Sequence, residues 1–259
     1  MKNKFAATLF TVREELKTDG IGPVFKELAD MGYAGLQLSG LPVGYDQEEV
    51  AFHLQKNNVA AAGMHVPFDR LANEFDLVRQ EAKKYGTTDL FCPYLPESLR
   101  SEDGYREVKR VLNEVAHLAP DLRIGYHNHA FEFDTRIEGR DALAYILEPS
   151  EENKILAEID VYWVAKGGQD PLNYIQPYKG RMPIIHLKDM TTDEEETFAE
   201  VGTGSIDFLP ILKWGEQHGI EWYVVEQDVC KSNPMTSLQL SLTNLHKYAV
   251  ELVNVKTKK

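Results

Sequence analysis

The chain has 259 residues, 43% of them apolar, and a formal net charge of -13 with a pI of about 5.1. That is enough apolar material for one large core, and the acidic balance argues against a nucleic-acid backbone as partner, which needs a basic footprint. No run approaches the roughly 18 apolar residues of a membrane span, and Met1-Lys2-Asn3-Lys4 leads directly into a strand-like segment, so a soluble, cytoplasmic protein without membrane association is expected.

The first predicted strand covers 5–10, followed by a helix with Val24, Phe25, Leu28 and Met31 on one face, stopped at Gly32. Strand two covers 34–38, helix two 46–57, strand three 59–66, helix three 71–85 and strand four 89–92. Helix four spans 103–118 with Val108, Val111, Leu112 and Val115 inward, and Pro120 closes it. Strand five is 123–127, and a turn at Gly139 opens a short helix over 142–147. Strand six is 154–159; helix six, 171–178, follows Asp170 as N-cap and Pro171 as first helical residue. After strand seven, 182–187, come the acidic loop Asp193-Glu194-Glu195-Glu196 and Val201-Gly202-Thr203-Gly204, read as a turn into helix seven at 208–218. Strand eight is 222–226 and the last helix 237–253. Short apolar strands alternating with helices indicate an α/β chain in which eight covered parallel strands close into a (β/α)8 TIM barrel, one domain over 1–259. Cys92 and Cys230 read as reduced thiols, and Lys256-Thr257-Lys258-Lys259 as a frayed basic end.

Chemistry concentrates at the carboxyl ends of the last four strands. His127, His129 and Glu132 follow strand five, Asp160 ends strand six, His186 strand seven and Glu226 strand eight. Groups of this kind must be desolvated and then given partners, and neighbouring barrel strands project their ends into one volume. Glu132, Asp160, His186 and Glu226 together suit one divalent cation, manganese first, with magnesium, cobalt or zinc as alternatives.

Gly32-Tyr33-Ala34-Gly35, Tyr126-His127-Asn128-His129 with Phe131-Glu132-Phe133, Ile159-Asp160, His186-Leu187-Lys188-Asp189, Val201-Gly202-Thr203-Gly204 with Asp207, and Val225-Glu226 carry a family resemblance. Over nearly its whole length the chain resembles the sugar isomerase/epimerase family with the xylose isomerase-like barrel, which includes tagatose epimerase-like enzymes, inosose dehydratase and, more distantly, endonuclease IV. The resemblance implies one metal ion held by Glu, Asp, His and Glu from strands five to eight, which maps onto Asp160, His186 and Glu226. The first ligand does not map, because strand five here reads Gly125-Tyr126-His127 where family epimerases carry Glu. Either Glu132 reaches back or His127 or His129 replaces it; Glu132 is favoured.

The implied activity is isomerisation or epimerisation of a small keto- or aldo-sugar through an enediolate. Glu226, Glu132 and His129 would handle protons, and His65, His127, Lys188 and Trp163 would contact the carbohydrate, with Gln37 a weaker hydroxyl contact. Lys188 has a plainer use as an ion-pair partner of Asp189 or Glu158. If the second base is an imidazole, the same enolate can expel a β-leaving group, giving a dehydratase or lyase on a keto-sugar, ketoinositol or 3-keto-glycoside. A non-catalytic sugar-binding barrel is the remaining alternative, and both monomer and homo-oligomer stay open. DNA repair of the endonuclease IV kind is disfavoured by the histidine supply and the net charge.

Overall fold

A computed structural model of the protein describes residues 1–257, so Lys258 and Lys259 of the basic tail lie outside the described residues. Eight parallel strands form a closed barrel: β1 Phe5–Thr8, β2 Gly35–Leu38, β3 Ala60–His65, β4 Asp89–Cys92, β5 Arg123–His127, β6 Leu156–Asp160, β7 Ile184–Leu187 and β8 Trp222–Val225. Each pairs with its sequence neighbours, and β1 closes the ring against β8 through Phe5↔Tyr223, Ala6↔Val224 and Ala7↔Val225.

Two cores hold this barrel. The larger lies between strands and helices, where Val24, Phe25 and Leu28 of the first long helix, Ile21–Met31, are buried together with Val108, Leu112 and Val115 of Glu102–Leu118. The smaller plugs the barrel's interior with Ala6, Ala62, Phe91, Ile184 and Val224, against Leu156 and Trp222. Side chains alternate across a strand, so every second residue points inward. Along β6 the inward residues are Leu156, Glu158 and Asp160; along β7 Ile184 and His186, with Lys188 next; along β8 Trp222 and Val224, with Glu226 next. Each inner row therefore changes from apolar at the bottom to ionisable at the carboxyl end, which separates a stabilising plug from a reactive mouth.

The departures from expectation are local and have local causes. Strand one stops at Thr8, whose hydroxyl accepts from the Phe10 N–H and starts the 3-10 turn Leu9–Val12. The helix expected over 71–85 is two helices, Phe68–Asn73 and Phe75–Tyr85, because Glu74 leaves helical geometry at φ -127°. A further short helix, Val161–Lys166, directly follows β6 and is capped by Asp160. The acidic loop is the tip of a small hairpin, Asp189–Met190 paired with Phe198–Ala199, and the last helix is longer than expected, Pro234–Thr257. Cys92 and Cys230 are both free thiols. Among the described residues no helix is long and apolar enough to cross a membrane.

Val201-Gly202-Thr203-Gly204 wraps the buried carboxylate of Asp189, which accepts from the backbone N–H of Met190, Gly202, Gly204 and Ile206 at 2.8, 2.9, 2.8 and 3.1 Å. Gly204 must lack a side chain, since a Cβ there would strike the Met190 carbonyl and the Asp189 carboxylate. Deleting this acceptor strands four N–H groups. Asp189→Ala is therefore expected to cost about 3 kcal/mol or more of unfolding free energy in urea, and a loss under about 0.5 kcal/mol would contradict this role.

Candidate functional site

The carboxyl ends of β5 to β8 bring His127, Asp160, His186 and Glu226 together, one ligand-capable atom of each lying within 4.8 Å of the others. All four are buried. Asp160 ends β6 and caps the following helix, its Oδ1 accepting from the N–H groups of Tyr162 at 2.9 Å and Trp163 at 3.3 Å. Its Oδ2 is paired with the Lys188 ammonium at 3.0 Å. Capping thus uses one oxygen of the carboxylate and leaves the other turned to the cluster. His186 presents Nδ1 to Glu226 Oε2 at 3.2 Å.

Lys188 carries none of the pairings expected for it. Its ammonium lies 2.9 Å from Glu226, 3.0 Å from Asp160 and 2.5 Å from Asp228, a carboxylate not anticipated from the sequence. The rings of Trp163, Phe198 and Tyr162 surround it at 5.2, 5.6 and 5.9 Å to their centroids. Burial disfavours the charge, but Asp160, Glu226 and Asp228 outweigh it and raise the lysine well above its ordinary value. Lys188 is thus a fixed internal cation.

Glu132 does not join the cluster. It lies in the turn Phe131–Phe133 beyond β5, fully buried, accepting from the Tyr126 hydroxyl at 2.7 Å and the His129 N–H at 2.8 Å. Tyr126 and His127 are adjacent on a strand and point to opposite sides, so a carboxylate bound to the tyrosine is on the helix side of β5 while His127 faces the barrel. Burial pushes the Glu132 carboxyl up to about 8. In the four-residue cluster the strand-five member is His127.

Below the mouth is a second buried carboxylate, Glu158, absent from the expected site. It accepts from Gln37 Nε2 at 2.6 Å, pairs with His65 Nε2 at 2.6 Å, and has His127 Nδ1 and His186 Nε2 at 3.3 and 3.6 Å. Burial opposes its charge, yet His65 and His186 hold it below the usual carboxylate range. Its signal was in the sequence: Glu158 is two residues before Asp160, hence on the same strand face. His65 and Gln37, expected to touch carbohydrate, are instead tied into this network, although His65 also lines the cavity.

The cavity has a volume of about 390 Å³. His127, His129, Glu226 and Asp228 line one part of it, Leu38, Met64 and Tyr94 an apolar part, and Ser39, His65, Arg70 and Glu81 add further polar groups. His129 stacks on Phe131 at 5.3 Å between ring centroids and is flanked by Tyr94 at 5.4 Å and Trp163 at 5.2 Å. Trp163 is therefore a wall for His129 and Lys188. Burial, then the neighbouring His186, lowers His127 to about 3; burial, then His127 and Lys188, lowers His129 well below an ordinary histidine.

These residues fit a divalent cation. Asp160, Glu226 and Asp228 confront a single ammonium, and His127, His186, Asp160 and Glu226 form a mixed nitrogen and oxygen donor set of the type such ions take.

No protein-family model matches the chain. Inosose dehydratase of Clostridium beijerinckii is 26% identical over 155 residues, 52% of this chain and 51% of that protein. That of Geobacillus kaustophilus is 28% identical over 151 residues, 50% and 48% of the two chains. The chain thus spans about half the length of the curated relatives it matches. Among solved structures, a sugar phosphate isomerase/epimerase from Parabacteroides distasonis superposes with TM-score 0.80 at 20% identity, covering 94% of this chain and 98% of that one. An L-ribulose 3-epimerase does so with TM-score 0.69 at 13% identity, covering 98% and 97%. With its closed eight-strand topology, the chain has the fold of the xylose isomerase-like (β/α)8 barrels and is similar in sequence, over about half its length, to inosose dehydratases.

Proposed function

We propose that this protein is a metal-dependent carbon-oxygen lyase that removes the proton α to the carbonyl of a keto-sugar or ketoinositol and expels the β-substituent. The observation that carries this reading is the side of the cavity built by strand five. Glu132, the carboxylate that would have supplied a second base, is bound to Tyr126 and the His129 N–H, and the groups turned to the cavity are the imidazoles of His127 and His129. The sequence kinship with inosose dehydratases supports the same choice.

In this reading Asp160, His186 and Glu226, with His127, hold the divalent ion, which when bound supplies Lewis acidity toward a carbonyl oxygen. His129 takes the α-proton, its ring held in place by Phe131 and Trp163. The resulting imidazolium returns that proton to the departing β-hydroxyl, so the carbon-oxygen bond breaks, a carbon-carbon double bond forms and one water leaves. Lys188, held by three carboxylates, keeps Asp160 and Glu226 oriented while no substrate is present. The aromatic and aliphatic wall, including Tyr94 and Met64, takes the carbon face of the substrate.

The test is incubation of ketoinositols and keto-sugars with the manganese-loaded protein in deuterated water, followed by mass spectrometry. A product lighter than substrate by one water is expected. A product isomeric with substrate and carrying deuterium would instead make the protein an isomerase or epimerase, the outcome the fold relatives would favour. Conversion undiminished by a chelator would remove the metal from the mechanism.

A further inference from the structure

We propose that Glu158, acting through Gln37, is a positioning pair that decides which nitrogen of His186 faces the ion cluster; this rests on reading that cluster as a metal site. A carboxylate can only accept hydrogen bonds. Glu158 Oε1 lies 2.6 Å from one end of the Gln37 amide, so that end is the NH2 group; the reversed amide would press two oxygens together. The amide oxygen is thereby turned to His186 Nε2 at 2.8 Å. An amide oxygen also only accepts, so Nε2 carries a hydrogen, and Nδ1, which faces the Glu226 carboxylate at 3.2 Å, is the nitrogen that gives up its hydrogen when a cation takes its lone pair.

Burial isolates the relay at each end. Glu158, Gln37 and His186 are all 0% exposed, which leaves solvent no role as an alternative donor or acceptor. The second oxygen of Glu158 is engaged as well, by His65 Nε2 at 2.6 Å, and the other nitrogen of His65 meets Ser39 Oγ at 3.1 Å. The relay crosses the barrel, from Gln37 on β2 to Glu158 on β6 and His186 on β7, so it exists only when the barrel is closed. Metal-ligating histidines are commonly oriented through their second nitrogen, and loss of such a partner lowers metal affinity roughly 10–100-fold.

Glu158→Gln preserves volume but adds a donor, which frees Gln37 to turn over and present its NH2 group to His186. The ring must then accept at Nε2 and place its hydrogen at Nδ1, against the ligand position. Manganese affinity measured by calorimetry is expected to fall roughly 10–100-fold in Glu158→Gln. Gln37→Leu leaves Glu158 and His65 in place and is expected to show a fall of the same size, so a failure of the first variant to fold leaves the idea exposed to the second. Independently of any metal, ¹⁵N–¹H correlation spectra of the metal-free protein should show His186 with hydrogen on Nε2, the signal being assigned by its loss in His186→Asn. An Nε2 without hydrogen in the wild-type protein, or manganese affinity unchanged within about twofold in the variants that fold, would overturn the relay. Wild-type protein that takes up no manganese yet holds hydrogen on Nε2 would support the relay and sink the metal reading of the site instead.

Discussion

Replacing His129 with glutamine is expected to lower turnover by about 10²–10⁴-fold while leaving manganese affinity within a few-fold of wild type, because in the proposed mechanism the ring moves a proton without holding the ion. The geometry separates these duties. Two sets of mutually close ligand-capable groups lie among the described residues, His65, His127, Glu158 and His186 and His127, Asp160, His186 and Glu226; His129 is in neither, whereas Glu226 belongs to the second. The His129 main chain is anchored by Glu132 at 2.8 Å and its ring is packed on Phe131, so a side chain of similar reach should leave the surroundings standing. Deuterium exchange at the α carbon should vanish along with turnover. Glu226→Gln forms the contrast: it removes a charge that faces both His186 and Lys188, so activity and manganese binding should fall together. If His129→Gln retained full α-exchange while Glu226→Gln lost exchange but kept its metal, the proton would have to be assigned to Glu226.

Lys188→Met is expected to destabilise the metal-free protein by about 3–5 kcal/mol, the usual consequence of removing one partner from a buried ionic group. Lys188 is fully buried and is the shared counter-ion of Asp160, Glu226 and Asp228. Without it, burial acts against these carboxylates unopposed by any lysine; burial already pushes Asp160 up to about 6 with the ammonium in place. Since ammonium and metal ion answer the same excess of negative charge, the variant should bind manganese more tightly, by about tenfold for each 1.4 kcal/mol of competition relieved. Urea unfolding with and without manganese measures both effects. A variant as stable as wild type without metal, or one that gains no more stability from manganese than wild type gains, would show that Lys188 is not the cation standing in for the ion.

Much of this was legible from residue order. Gly32 and Asp170 bounded helices where expected, the helix Phe208–His218 matched to the residue, and β4 and β5 did the same, because these elements are set by caps and by apolar periodicity within a few residues. Asp160, His186 and Glu226 were readable as a group since each marks the point where an apolar strand meets the barrel mouth. Glu158 could have been read with them from alternation alone. Lys188 could not have been assigned its partners, because Asp228 reaches it from a loop after another strand.

Sequence by itself determined the alternation of strand and helix, and with it the closed barrel, since covered parallel strands of this number have few other ways to bury both faces. It also determined that ionisable groups gather at one end of that barrel. Only the tertiary structure decided between Glu132 and His127. Both follow the same apolar strand, but the turn beyond β5 folds Glu132 back to Tyr126 on the helix side, where a phenol and a backbone N–H satisfy it, while strand alternation leaves His127 pointing inward. A carboxylate goes where its hydrogen bonds are met once water is gone, and that is a property of neighbours brought together by folding.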